Sequence, residues 1–167
     1  MPHRVSTQIT IGGLLPASLV SALLAAVEQE GASGSWGGGP LAADADELRE
    51  IVMEARSPLW VCDDQHLGNF DALEAFCMAH GLTFVSHSEG GDEADAEIRW
   101  WRPGLRAVRS ESALDSKPAL TVSAIQELLD APSPEEALTQ LGRRLAEATP
   151  PEVPPLEITG LPERIED

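Results

Sequence analysis

The sequence predicts an α+β fold, a small and mostly antiparallel sheet of about four or five strands with helices packed against it. Three observations lead to this prediction. Alternating and helical apolar periodicities follow one another in mixed order along the 167 residues. Three strand-like segments occur in succession near the middle, and a Pro-Gly turn joins two of them. Apolar residues make up 43% of the chain, enough for the core of one domain.

The N-terminal segment predicts a strand followed by a helix. Residues 5–11 alternate apolar and polar side chains, which is typical of a half-buried strand, and Gly12 and Gly13 are expected to end it. Pro16 is expected to open the helix, because its fixed φ suits a first turn, and Gly31 to close it. The apolar face of this helix comprises Leu19, Val20, Leu23, Leu24 and Val27.

Residues 31–40 predict an ordinary glycine-rich loop, because they lack the GxxxxGK[ST] and GxGxxG spacings of phosphate-binding loops. A second helix is predicted from Asp44 to Arg56, with Asp44 and Glu47 at capping-box spacing. A short buried strand over residues 59–62 and a polar loop follow.

A third helix is predicted to begin at a capping Asp71 and to end at Gly81. Three strands are predicted next, over residues 82–88, 96–102 and 105–111, and they form an antiparallel meander.

Two helices are predicted in the C-terminal part. The first carries an apolar stripe at Val122, Ile125, Leu128 and Leu129. The second starts at Ser133-Pro134, with Ser as its cap. Residues 1–148 are therefore expected to form a single domain, and residues 149–167 a Pro-rich acidic tail that is extended or flexible. The alternative for the tail is a docking peptide or a strand added at residues 156–159.

Charge is segregated along the chain. Residues 28–97 contain sixteen acidic and two basic residues, a local balance of −14 within a net charge of −17. Residues 98–110 contain four arginines and no acid. A surface field of one sign attracts basic surfaces and repels nucleic acid and anionic lipid. The composition therefore predicts a protein partner with a basic surface, and neither direct nucleic-acid binding nor membrane binding.

The leading functional hypothesis is a non-catalytic, acidic protein-interaction module. Glu47, Glu50 and Glu54 recur at spacings of three and four, so they line one face of the second helix. DNA carries about one negative charge per 1.7 Å of axis, and a compact acidic domain can occupy the Lys and Arg track that binds it. The hypothesis is an inhibitor or adaptor that occupies such a site. The acidic face comprises Glu47, Glu50, Glu54, Asp63 and Asp64. The alternative is an ordinary solvated face.

The arginine-rich segment is a second candidate for binding. Arg99, Trp101, Arg102 and Arg106 combine the residue types that are enriched at binding hot spots and that grip phosphates or single strands. In a strand, Arg99 and Trp101 face away from Trp100. The plainer interpretation is that the arginines pair with acids of neighbouring elements and that one Trp fills the core.

A small metal-dependent enzyme or metal-stabilised module is the alternative function. It would use Asp63, Asp64, His66 and His80, with His87 as a further acid–base candidate. Cys62, His66, Cys77 and His80 also form a C-x3-H-x10-C-x2-H pattern of zinc ligands. That spacing matches no standard zinc motif, and cysteines on apolar segments are typical of cores. Neither a metal nor a cofactor is therefore assigned.

Several sequence patterns that would indicate a cellular location or a reaction type do not occur in this chain. No apolar run approaches the about 20 residues that span a bilayer, and the N-terminus lacks a signal-peptide pattern. We therefore expect a cytoplasmic protein with reduced thiols. No nucleophile motif occurs, and an enzyme is not the favoured interpretation. Self-association through the Pro-rich tail remains open.

Overall fold

The computed structural model describes residues 4–55, 57–66, 69–90, 95–115 and 117–160, without the side chains of residues 4 and 64–66. It confirms the α+β class. Seven strands form a mostly antiparallel sheet in the order β2-β1-β3-β4-β5-β6, and β7 pairs with β1 in parallel. This count exceeds the predicted four or five because β6 and β7 are additional.

The strands are β1 (Arg4–Pro16), β2 (Leu59–His66), β3 (Thr83–Ser88), β4 (Glu97–Trp101), β5 (Arg109–Leu114), β6 (Lys117–Pro118) and β7 (Leu156–Thr159). The helices are α1 (Val20–Gln29), α2 (Ala45–Ala55), α3 (Asp71–His80), α4 (Val122–Leu129) and α5 (Pro134–Ala148), and a 3-10 turn (Ala17–Leu19) precedes α1.

The long first strand does not end at its two glycines, contrary to prediction. It continues to Pro16, because β7 pairs with its last four residues and the Gly13 N–H donates to the carbonyl of Pro155 at 3.0 Å. A Cβ on Gly12 would lie 1.7 Å from the Pro154 oxygen. Glycine therefore permits a close approach of the C-terminal segment instead of ending the strand.

One face of the sheet carries the main core. Its central row pairs Trp60, Ile9 and Ser86, from β2, β1 and β3, and all three are buried. Helices α1, α2 and α3 cover this face. Their buried side chains are Val20, Leu23, Val27, Leu48, Leu73 and Cys77. The predicted apolar face of α1 therefore packs on the sheet as that of an amphipathic helix does.

The opposite face has a smaller cluster of Val85, Ile98 and Trp100. The turn after β4 is closed by the Leu105 N–H donating to the Arg102 carbonyl, with Gly104 at φ +97° as a type II turn requires. The next strand begins at Arg109 and not at the predicted residue 105. The reason is local, because the Leu105 carbonyl accepts the Trp101 indole N–H at 3.0 Å and so lies in the turn.

Helix starts follow the capping prediction in part. Asp44 Oδ1 accepts the N–H groups of Asp46 and Glu47, each at 3.0 Å, and opens α2. Asp71 was expected to cap α3, and this is wrong. The N-cap residue is Phe70, whose side chain cannot accept a hydrogen bond, and a carboxylate oxygen of Glu30 accepts the N–H of Ala72 instead. A distant side chain thus satisfies an orphan donor of this helix.

Among the described residues, no helix is long and apolar enough to cross a membrane.

Substituting Gly12→Ala should destabilise the fold by about 2 kcal/mol or more, because the new methyl group collides with the backbone oxygen of Pro154 and pushes the C-terminal segment away from β1. The free energy of unfolding from urea titration measures this loss. Gly39→Ala is the matched control, since a Cβ there meets nothing within 4 Å. Equal stabilities of the two variants would contradict the close approach.

Candidate functional site

One arginine of the arginine-rich segment forms an ion pair inside the fold. Arg99 on β4 donates to both carboxylate oxygens of Glu74 on α3, from Nε at 3.0 Å and from Nη2 at 2.7 Å. The Glu74 side chain is only 5% exposed and that of Arg99 21%. Glu97 lies 3.8 Å from the same guanidinium. Two parallel hydrogen bonds make this a bidentate pair that fixes α3 on the sheet.

Burial and pairing act in opposite directions on this carboxyl. Desolvation is the larger effect and raises the pKa of Glu74, whereas the hydrogen bonds and charge of Arg99 lower it. The pKa of Arg99 is raised, mainly by its hydrogen bonds to Glu74. The pair is therefore a structural contact, in which the guanidinium of Arg99 stabilises the ionised form of the buried Glu74 carboxyl.

The remaining residues of this segment divide between core and surface. Trp101 is 7% exposed and packs in the main core, whereas Trp100 is 2% exposed and packs on the opposite face of the sheet. Arg102 and Arg106 are exposed. Since Arg99 and Trp101 are held inside the fold, the structure does not bring the four predicted binding residues together on one surface.

A cleft of about 630 Å³ lies between the turn after β4 and the C-terminal end of α5. Arg102 and Arg109 contribute cations to its lining, and Glu147 and Glu152 contribute acids. Arg109 donates to the backbone carbonyl of Glu147 at 3.4 Å. Because its lining carries charges of both signs and Arg109 is bonded across it, we interpret this cleft as a junction between the β4 turn and α5. It is not the site of choice for an anion.

The acidic residues of α2 lie together on the surface. Asp46, Glu47, Glu50 and Glu54 are all exposed, and their spacing places them along one side of the helix. Leu48 is fully buried on the other side and anchors the helix in the main core. The amphipathic pattern thus orients the carboxylates outward.

A groove of about 700 Å³ adjoins this acidic helix, between α1 and the start of α2. Its charged lining residues are both acids, Glu28 and Asp44. Leu24 and Val27 form part of its apolar wall. Glycines at residues 31, 38 and 39 of the connecting loop also line the groove. The sequence did not predict this groove, because nothing in the glycine-rich loop indicated that it would line a groove together with α1 and α2.

Asp63, which was assigned to the acidic face with the acids of α2, lies on β2. It is exposed, and its carboxylate accepts the Gly37 N–H at 3.1 Å, which ties the glycine-rich loop to the sheet. Asp64 and His66 belong to β2, but their side chains lie outside the described part of the chain. The predicted strand end at residue 62 is wrong, since pairing with β1 continues to His66.

The candidate zinc ligands occupy separate environments. Cys77 is fully buried in the main core, and desolvation raises the pKa of its thiol far above its ordinary value. The Cys62 thiol lies 3.6 Å from the Glu30 carbonyl. His80 packs on Phe76 with ring centroids 4.6 Å apart. Within the described ranges, no three His, Cys, Asp or Glu side chains are grouped to hold a metal ion.

A further cleft of about 460 Å³ joins the glycine-rich loop to the open face of the sheet. Trp36, 48% exposed, lines it together with His87 and Gln8. Desolvation lowers the pKa of His87 and so favours its neutral imidazole. Among the described atoms, its Nδ1 has no hydrogen-bond partner. Alternation along β3 places His87 on this face, but nothing in the sequence indicates that Trp36 reaches it.

No protein-family model, no curated protein and no solved structure matches this chain.

Replacing Arg99→Gln should cost about 3 kcal/mol of unfolding free energy at pH 7, because it leaves the buried Glu74 carboxylate without its cation. The variant raises the pKa of Glu74 further. A carboxyl whose folded pKa exceeds its unfolded pKa favours the native state increasingly as pH falls, so the loss should shrink between pH 7 and pH 5.

Urea unfolding of the variant and the native sequence at both pH values measures this difference. Arg102→Gln removes an exposed guanidinium and serves as the control, with an expected change below about 0.5 kcal/mol. A loss that stays constant with pH would contradict the stated role of Glu74.

Cys77 should resist alkylation by iodoacetamide at pH 8 in the folded protein, because burial both shields the thiol and opposes its ionisation. Peptide mass spectrometry reports the modified fraction, and the same reaction in urea provides the fully modified reference. Rapid modification of native Cys77 would contradict its place in the core.

Proposed function

We propose that this chain is a non-catalytic, cytoplasmic protein-interaction module that docks its acidic surface on a basic surface of a partner protein. One observation carries the proposal. The groove between α1 and α2 has only carboxylates, Glu28 and Asp44, as its charged lining, and it opens beside the exposed acids of α2. The proposal is of binding and not of catalysis, since the described residues that line this groove include neither cysteine nor histidine.

The chemistry of the groove fits an arginine or lysine side chain of the partner. Such a side chain has an apolar stem and a cationic head. Leu24 and Val27 offer apolar contact for the stem, and Glu28 and Asp44 offer carboxylates for the head. The acids of α2 would then meet neighbouring cations, and their field would steer the partner during encounter.

The most specific form of the proposal is an inhibitor or adaptor that occupies a nucleic-acid-binding site. A protein site that binds DNA presents cations matched to closely spaced phosphates. Glu47, Glu50 and Glu54 repeat a negative charge about once per helical turn, with a rise of about 4.5–6 Å along the helix axis between neighbours. At a net charge of −17, direct binding of nucleic acid by this chain is disfavoured.

Reversing three charges on α2, with Glu47→Lys, Glu50→Lys and Glu54→Lys together, should weaken binding of a short arginine-rich peptide at least tenfold and flatten its salt dependence. Isothermal titration at about 50 and 300 mM NaCl measures both quantities. A pull-down from the native host at the same two salt concentrations identifies the partner.

The control variant reverses three exposed acids of the C-terminal half, Glu136, Glu147 and Glu152, and has the same net charge. It should retain affinity within about threefold. Equal losses in the two variants would mean that net charge alone attracts the peptide, and the assignment to α2 would fail.

A further inference from the structure

The two C-terminal helices leave an apolar face uncovered. None of the 15 residues of α5 is buried, and Ala124 is the buried residue of α4. The two helices nevertheless pack on each other. Five large apolar side chains of the pair are 45–84% exposed: Val122, Ile125, Leu129, Leu138 and Leu145. Amphipathic helices derive most of their stability from burying such a face.

The apolar stripe of α5, in which Leu141 is partly exposed, contains a glycine at its centre. Leu138, Leu141, Gly142 and Leu145 follow the spacing i, i+3, i+4, i+7 and so share one side of the helix. Glycine is the least favourable non-proline residue inside a helix. A Cβ at Gly142 would meet nothing within 4 Å, so no described neighbour in this chain explains the glycine. Close approach of another backbone would explain it.

This apolar stripe can pack against the same stripe of a second copy that is related to it by a two-fold rotation. In an antiparallel pair of α5 helices centred between residues 141 and 142, Leu138 lies opposite the partner's Leu145. Leu141 then lies opposite the partner's Gly142, and the reverse contact occurs once more by symmetry. A large side chain thus enters the space above a small one, which is how closely packed helices interdigitate. A two-fold interface needs this self-complementarity.

We propose that α4 and α5 form the interface of a homodimer, in which α5 packs antiparallel against α5 of a second copy around Gly142. The occupant of the apolar face is therefore another molecule of this chain. The interface is separate from the acidic groove and does not depend on the function proposed for that groove.

The available area suits a homodimer. The five exposed side chains present an apolar surface on the order of 500 Å², at the upper end of what single monomers expose. An interface that is about 65% apolar, as homodimer interfaces are, would then bury about 800 Å² per chain. This is the size of an ordinary stable interface.

The distribution of charge leads to a distinctive salt dependence. The five apolar residues are uncharged, and Arg143 and Arg144 lie on the same helix, whereas residues 28–97 hold most of the excess negative charge. Two chains of charge −17 repel each other, and salt screens that repulsion. Dimerisation should therefore strengthen with added NaCl, which is the opposite of docking through the acidic surface.

Sedimentation velocity of the full chain from about 1 to 200 µM in 150 mM NaCl tests the proposal. The native sequence should shift from 17.8 kDa towards twice that mass as concentration rises. Leu138→Gln removes two buried side chains per dimer and should raise the dissociation constant on the order of 100-fold. Leu14→Gln changes a leucine that is 63% exposed on β1, and the dimer should be unaffected.

Gly142→Ala gives the sharper test, because its effects on the helix and on the dimer have opposite signs. Alanine strengthens the isolated helix, so helicity by circular dichroism should not fall, while the added methyl groups should weaken the dimer at least tenfold. A native chain that stays monomeric at 200 µM overturns the proposal. So does an equal effect of Leu14→Gln and Leu138→Gln, or a Gly142→Ala dimer of unchanged affinity. None of these results bears on binding of the arginine-rich peptide.

Discussion

The whole fold depends on pairing both edges of β1. This strand runs from Arg4 to Pro16, with β2 on one edge and β3 on the other over its first part. Beyond these pairings, its last four residues are paired by β7. An unpaired backbone group in a core is costly, so the C-terminal segment is drawn back to complete this strand. Gly12 and Gly13 permit the approach because a side chain at either would meet the returning chain or require positive φ.

The packing of the helices around this sheet also determines which charged side chains lie at the surface. Helix α3, which covers the main core, supplies Glu74 to Arg99, and the first arginine of the basic segment is thereby paired inside the fold. Helix α2 lies beside β7 and turns its carboxylates outward. The acidic and basic segments of the sequence therefore have different fates in the fold. Arg99 of the basic segment is held in a bidentate pair, whereas the carboxylates of α2 are exposed.

Local patterns predicted those elements whose causes are local. Alternation predicted β1, capping residues predicted the starts of α2 and α5, and Gly81 at φ +71° ends α3 as expected. Two of the misses have distant causes. The extension of β1 depends on β7 near the other end of the chain, and the cap of α3 comes from Glu30 on α1. Strand periodicity placed Arg99 and Trp101 on one face, but no local rule names Glu74 as the partner that holds Arg99 there.

The candidate sites follow the same division. Helical spacing was sufficient to group Glu47, Glu50 and Glu54, because the three residues lie on one element. It could not find the groove, whose acids Glu28 and Asp44 come from two helices joined by a loop. The apolar residues of α4 and α5 show another limit of prediction from sequence periodicity. Their spacing indicates an apolar face correctly, yet periodicity does not say what covers that face, because burial by the same chain and burial by a second copy require the same pattern.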